Sequence, residues 1–361
     1  MKIAFLCNCL APGRDGVGDY TAMLAGECER RGHEARMIAL NDPHVDELSV
    51  APGEMRLSPA LSWNARVERA ADMVSLFDPD FVSVQFVCYG FHPRGIDFGL
   101  AGRLREIADG RAVQMMFHEL WIGAGKGAGL KERFTGALQR VCVKRALGAL
   151  NVRAVHASNT AYVAMLKGRG IDAEVLPLFG AIPVPEAQLP ARAADGALAL
   201  GIFGSLHPVW PPQPLMTLLL NTGRKIVISH IGGMGAGGVA LWEKMERDFA
   251  GVIEFRKLGE QPPERIAEFF RTEINFGIAT TPWELIGKSA SVAAMLEHGL
   301  PVIVNRDDWH FGDVADGAVS PLLIKMDAAL PERLGAARRG VPRSRLPEVA
   351  SQFLAALERA K

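Results

Sequence analysis

The 361-residue sequence has no uninterrupted apolar run near the roughly 18 residues a membrane-spanning helix needs, and its start shows no Ala-x-Ala cleavage pattern. Spanning and export are therefore not indicated, and Met1-Lys2-Ile3-Ala4-Phe5-Leu6 reads as a first strand. Net charge is also missing: 40 basic residues face 40 acidic ones, which removes the usual electrostatic footprint of a nucleic-acid binder. Cysteine is scarce and odd in number, the five being Cys7, Cys9, Cys28, Cys88 and Cys142. Set among apolar neighbours, they read as buried thiols in a reducing cytoplasm rather than disulfides, and Cys7-x-Cys9 is too sparse for zinc. No acidic DxD-like pair stands at a strand end, so no metal site is expected. What is present, 49% apolar and 22% charged residues, is the composition of a soluble globular enzyme.

A chain of 361 residues suits two domains of roughly 100 to 200 residues each. Residues 2–9 make a short apolar run, 11–18 a Gly/Pro-rich loop, 19–31 a helical spacing and 35–40 another apolar run, which is a β-loop-α-β unit. The pattern recurs with helical stretches near 64–77 and 98–109 and apolar runs at 81–87 and 112–117. Such alternation implies a parallel sheet covered on both faces. Residues 1–182 form the expected first domain, 183–197 a linker in the Pro-rich stretch, and 198–342 a second β/α series with strands near 225–230, 252–255, 274–279 and 301–304. A last helix is expected within 343–361.

Candidate chemistry lies where strands end. Gly16, Val17 and Gly18 open the first helix, whose free N–H groups and dipole suit an anion. The third glycine of the dinucleotide fingerprint is absent, so NAD binding is not supported; a plain βα turn explains the same residues. His118 and Glu119 follow the run 112–117, and Gln85 stands near the end of 81–87, at carboxyl ends where parallel sheets place ligands. Structural roles for all three stay open. Gly204 and Ser205 begin the second domain as Gly16–Gly18 begin the first. The glycines of 232–238 read as a flexible loop.

The segment 279–302 reads as strand, loop, amphipathic helix, glycine stop and strand. Gly287 permits a close turn, Lys288 supplies a point charge, and Ser289 with Ala290 starts a helix, together a seat for a diphosphate. Pro282 stands where a P-loop needs glycine. A capped helix with a solvated lysine is the alternative reading.

This segment, with helix-Gly299-Leu300-Pro301-Val302, Gly16-Val17-Gly18-Asp19-Tyr20 and Phe117-His118-Glu119, resembles glycosyltransferase family 4 along nearly the whole chain. The resemblance implies an α/β fold of GT-B type, two Rossmann-like domains facing a central cleft, with 343–361 crossing back to the first domain. It implies a hexosyltransferase of polysaccharide assembly that moves a sugar from a nucleotide diphosphate donor to a glycan or lipid-linked acceptor, with retention and without cofactor or metal. Peripheral membrane contact stays open. His118 would then lie beside the transferred sugar, with Glu119 on its loop; Leu258 and Gly259 would contact the base, Glu284 would lie near the donor, and Lys288 would neutralise the diphosphate. Two departures stand out: Ile286 and Ala294 occupy the places of the family's paired glutamates, and the Arg and Lys that follow the second domain's first strand are replaced by Ser205-Leu206-His207-Pro208. The departures leave room for a nucleotide-sugar epimerase of the same fold, or for a binding subunit that has lost activity.

Overall fold

A computed structural model describes residues 1–185, 196–311 and 320–361. Most of the expected linker, 186–195, lies outside the described residues. The chain divides into two compact units: Met1–Leu178 with Phe311 and Leu346–Lys361, and Phe179–His310 with the described residues from 320 to 345.

In the first unit the elements run β1 (Lys2–Cys7), α1 (Gly16–Arg30), β2 (Glu34–Ala39), β3 (Leu48–Ala51), β4 (Glu54–Leu57), α2 (Trp63–Phe77), β5 (Phe81–Phe86), α3 (Cys88–Phe91) and α4 (Leu100–Ala108). They continue through β6 (Ala112–Phe117), α5 (Leu130–Ala149), β7 (Val152–Ala157), α6 (Thr160–Lys167) and β8 (Glu174–Val175). The sheet order is β3-β4-β2-β1-β5-β6-β7-β8, parallel except for the hairpin β3–β4. That hairpin escapes the periodic reading because its strands are short and largely solvent-facing, turned at Gly53 with φ 79°. Helix α1 begins where it does because the Asp15 carboxylate accepts the N–H groups of Val17 and Gly18, both at 2.9 Å. Its buried Thr21, Leu24, Ala25 and Cys28 recur at i, i+3, i+4 and i+7, the stripe a helix lays on a sheet. Gly18 is required there, since a Cβ would lie 2.3 Å from the Cys9 carbonyl oxygen.

The second unit runs β9 (Leu198–Phe203), α7 (Pro212–Leu220), β10 (Ile226–Ile231), α8 (Ala236–Asp248), β11 (Ile253–Lys257), α9 (Pro263–Thr272) and β12 (Phe276–Ala279). After a 3₁₀ turn (Trp283–Lys288) come α10 (Ala290–Glu297), β13 (Val302–Val304), β14 (Leu323–Lys325) and α11 (Leu330–Ala336). All strands are parallel, in the order β11-β10-β9-β12-β13-β14. Its core joins Leu200, Ile202, Trp210, Ile228 and Trp242, and each such fully buried side chain contributes about 1.5 to 3 kcal/mol relative to exposure. The expected flexible loop at 232–238 is corrected: Gly235 caps α8, and Gly237 and Gly238 are helical. A Cβ at Gly238 would sit 2.7 Å from the Leu206 carbonyl oxygen, so glycine serves close packing there. The last helix, α12 (Leu346–Arg359), belongs with the first unit, where Arg31 donates to Ser351 Oγ at 2.7 Å and to the Pro347 carbonyl at 2.6 Å. No helix among the described residues is long and apolar enough to cross a membrane.

Candidate functional site

Parallel strands bring their carboxyl ends to one edge, and a crevice opens where the strand order reverses. In the first unit that point lies between β1 and β5. His118 is the first residue beyond β6; its N–H bonds the Phe86 carbonyl at 3.1 Å and its carbonyl accepts from Ser158 Oγ at 3.2 Å. Tyr20 of α1 meets the His118 ring edge-on, centroids 4.8 Å apart. The helix start at Gly16–Gly18, Gln85 and His118 therefore lie in one neighbourhood.

Behind His118 runs a ladder of buried polar side chains across three strands. His118 Nε2 lies 2.8 Å from Gln85 Oε1, Gln85 Nε2 donates to Ser83 Oγ at 2.8 Å, and Ser83 Oγ donates to Gln114 Oε1 at 2.6 Å. Gln114 Nε2 in turn lies 3.0 Å from His156 Nδ1. An amide oxygen can only accept and an amide NH₂ can only donate. With the amides so placed, His118 carries its proton on Nε2, His156 accepts on Nδ1, and donation runs one way from His118 to His156. All five side chains are buried. Burial pulls His118 down from its ordinary value to about 3 and His156 to about 4. His118 is thus a neutral imidazole whose Nδ1 carries a lone pair, suited to accept a hydroxyl hydrogen bond and not to act as a cationic acid at neutral pH. Glu119 is half-buried, and its charge adds to the burial that pushes the Cys88 thiol up to about 12. The Val17 and Gly18 amides offered to an anion by the sequence are already bonded to Asp15, whose other oxygen accepts from Asn8 Nδ2 at 3.0 Å. A negative charge thus occupies the start of α1.

In the second unit the order reverses between β9 and β12. Gly204, just past β9, has φ 76°, and a Cβ on it would meet Ser291 Oγ at 2.8 Å, so glycine lets the first turn of α10 approach. Its N–H is bonded to the Ile231 carbonyl at 2.9 Å and its carbonyl accepts from His230 Nε2 at 2.7 Å, which leaves that amide committed to the fold. Ser205 is exposed, and its carbonyl lies 3.4 Å from Thr280 Oγ1. The loops after β10 and β11 join where the Gly232 N–H meets the Gly259 carbonyl at 2.7 Å; Leu258 N–H bonds the His230 carbonyl at 2.8 Å. Gly287 and Lys288 close the 3₁₀ turn, Ser289 caps α10 by accepting the Val292 N–H at 3.3 Å, and Ala290 is its first residue. Glu284 accepts from His310 Nδ1 at 2.8 Å.

The sequence reading missed Arg306. It follows β13 at the same edge, is buried, chelates Asp308 through Nε at 2.9 Å and Nη2 at 2.7 Å, and donates Nη1 to the Thr280 carbonyl at 3.2 Å. Burial first, then the charges of Arg306 and Lys288, hold the His207 imidazole below its ordinary value. These three side chains thus share one electrostatic neighbourhood. Among the described residues no group of three or more His, Cys, Asp or Glu is placed to hold a metal ion.

No protein-family model and no curated protein sequence matches the chain. Solved structures do. AviGT4, a glycosyltransferase involved in avilamycin A biosynthesis, is 15% identical with a TM-score of 0.55, over 100% of this chain and 98% of its own. The lipopolysaccharide outer core galactosyltransferase WaaB is 14% identical with a TM-score of 0.59, over 99% of each chain. HepE of Anabaena, solved with UDP and glucose, is 13% identical with a TM-score of 0.58, over 100% of this chain and 95% of its own. The two sheets of eight and six strands have the GT-B fold.

Proposed function

We propose that the protein is a glycosyltransferase that moves a hexosyl group from a nucleoside diphosphate sugar to a glycan or lipid-linked acceptor in polysaccharide assembly, with retention and without a metal ion. The observation that carries this reading is the edge of the second unit beside the start of α10, where Arg306, held in place by Asp308, and Lys288 both bear on His207. A leaving diphosphate gains its stabilisation from such preorganised charges and helix amides. The full-length likeness to HepE, which holds UDP and glucose, agrees with a donor of this class. Arg306 and Lys288 take the place of the basic pair missing after β9. On the first unit, neutral His118 accepts a hydrogen bond from a sugar hydroxyl, with its tautomer held by Gln85. Glu119, Gly16, Val17 and Gly18 shape the surface beside it, and Leu258, Gly259, Gly204, Ser205, Glu284, Gly287, Ser289 and Ala290 line the donor side.

The test is thermal denaturation with UDP, GDP or the bare nucleosides in chelator, followed by a donor and acceptor panel read by release of nucleoside diphosphate. A ligand at 100 times its Kd adds about 2.7 kcal/mol of stability, so one diphosphate raises the melting temperature and its nucleoside does not. Stabilisation that needs manganese overturns the metal-free mechanism. Sugar interconversion without release of diphosphate makes the enzyme an epimerase, and no diphosphate binding at all sinks the reading.

A further inference from the structure

A cavity of about 430 Å³ opens on the first unit beside the loop that follows His118, lined by Trp121, Met165 and Phe311 and by four basic side chains, Lys126, Arg133, Arg140 and Arg169. No carboxylate is among the described residues that line it, and no ion pair joins any of the four cations to an acid among the described residues. Burial, then the neighbouring charge of Arg169, hold the Arg140 guanidinium below its ordinary value. Lys126, Arg133 and Arg169 are exposed and Arg140 is half-buried, so four like charges face one concavity that presents no acid among its described lining residues, an arrangement that attracts an anion.

The cavity wall is closely packed. The loop that follows His118 lies directly on α5: a Cβ at Gly136 would stand 1.9 Å from the Ile122 carbonyl oxygen, and one at Gly123, with φ 73°, would stand 2.5 Å from the backbone of Glu132. Buried Gln139 clamps the loop by accepting the Ile122 N–H at 3.0 Å and donating to the Arg94 carbonyl at 3.2 Å. Arg133 is steadied by its Nε bond to the Ala128 carbonyl at 2.9 Å. The one acid at this end of α5, Glu132, accepts the Gly129 N–H at 3.2 Å. The guanidinium forks at 133, 140 and 169 suit the oxygens of a phosphate, and Trp121 and Met165 suit an apolar group attached to it.

We propose that this cavity binds a phosphate or diphosphate group, through side chains other than those of the donor seat proposed at Lys288 and Arg306. Its assignment to the acceptor, which would then carry such a phosphate, rests on the transferase reading; the site itself does not.

The probe is inorganic pyrophosphate, titrated calorimetrically into the full chain carrying Lys288→Ala, which weakens the other seat. Pyrophosphate still binds, and adding Arg140→Gln with Arg169→Gln lowers its affinity about tenfold or more, the loss expected when charge-assisted phosphate contacts go. If the combined variant does not fold, Lys126→Gln on the exposed loop gives a smaller loss in the same assay. Pyrophosphate binding that disappears with Lys288→Ala alone, or that is indifferent to both sets of changes, overturns the proposal. Vesicles of phosphatidylglycerol, against phosphatidylcholine controls, separate the sources. Vesicle binding displaced by pyrophosphate assigns a lipid headgroup, and pyrophosphate binding without vesicle binding assigns a soluble phosphate ester. Retained pyrophosphate binding in a protein that transfers sugar from no donor keeps the site and removes only its link to an acceptor.

Discussion

Replacing Gln85 by leucine tests the ladder at its most consequential joint. The substitution keeps the approximate volume but withdraws the oxygen that lies 2.8 Å from His118 Nε2 and the N–H that reaches Ser83 at 2.8 Å. Ser83 keeps its bond to Gln114, so the orphaned group is the buried imidazole N–H, and leaving such a donor unmade costs about 1 to 3 kcal/mol. For a unit of this size each kcal/mol lowers the melting temperature by about 2 to 4 °C, which gives a fall of about 2 to 12 °C. The informative assay is nitrogen-detected NMR of the histidine rings alongside thermal melts. In the wild type the His118 ring is neutral with its proton on Nε2. In Gln85→Leu that preference is lost and turnover falls more than donor affinity, the mark of a residue acting through another. Gln85→Glu, which sets a carboxylate against the ring, moves the His118 pKa upward instead. A wild-type His118 protonated on Nδ1 or charged at pH 7 would refute the polarity assigned to the ladder, and so would a melting temperature that Gln85→Leu leaves unchanged.

Stability should fall on acidification, because His118 and His156 are held at about 3 and about 4 in the native state but near 6.5 when unfolded. The unfolded chain then binds more protons below pH 6.5, so this contribution is complete above that value and is lost toward pH 4 at about 1.4 kcal/mol per pH unit per histidine; His156→Gln should flatten the slope measured by denaturant titration. Lys288→Ala and Arg306→Ala should each weaken nucleoside diphosphate binding by about 10- to 150-fold while nucleoside binding is spared, and Lys288→Arg should recover part of the loss; calorimetry showing wild-type affinity in both alanine variants would misplace the donor seat. Buried Glu297 accepts the Gly180 N–H at 3.1 Å, has its other oxygen buried without a hydrogen bond, and is pushed up to about 7 by burial. Its stability contribution is therefore present below about pH 4.5 and lost as pH rises through 7, so Glu297→Gln should match wild type at pH 4.5 and exceed it progressively toward pH 8 in thermal melts.

The βα alternation was legible because apolar runs of strand length and helical stripes alternate from residue 2 to residue 117, broken only at the solvent-facing hairpin of β3 and β4. His118 and Gln85 could be singled out because they stand at the carboxyl ends of such runs, where parallel sheets place their ligands. Their partners could not: Ser83 and Gln114 are 31 positions apart and Gln114 and His156 are 42 apart, and only strand order brings them together. A polar residue inside an otherwise apolar strand was the available signal, present at Ser83 and again at Gln114. Arg306 was hidden for a different reason. In Asn305-Arg306-Asp307-Asp308 it reads as part of a solvated charge run, and only the pairing of β13 with β12 carries it to the donor edge. At the first loop, sequence alone could not tell whether Asp15 would turn away or cap α1. The cap settled the fate of the Val17 and Gly18 amides.

The ladder from His118 to His156 has a bearing on how the sequence can change over generations. Each rung is useful only while its neighbours point the same way, so a lone change at 83, 85, 114 or 156 strands a polar atom in a dry interior and weakens the fold before any benefit arrives. Those positions should therefore drift as a block, polar together in lineages that keep His118 and apolar together in lineages that have given it up. A replacement at His156 should be felt at His118 across the three side chains that link them, and descendants that lose activity should shed this interior polarity early, since an all-apolar strand core is easier to maintain than one that must keep every proton in register.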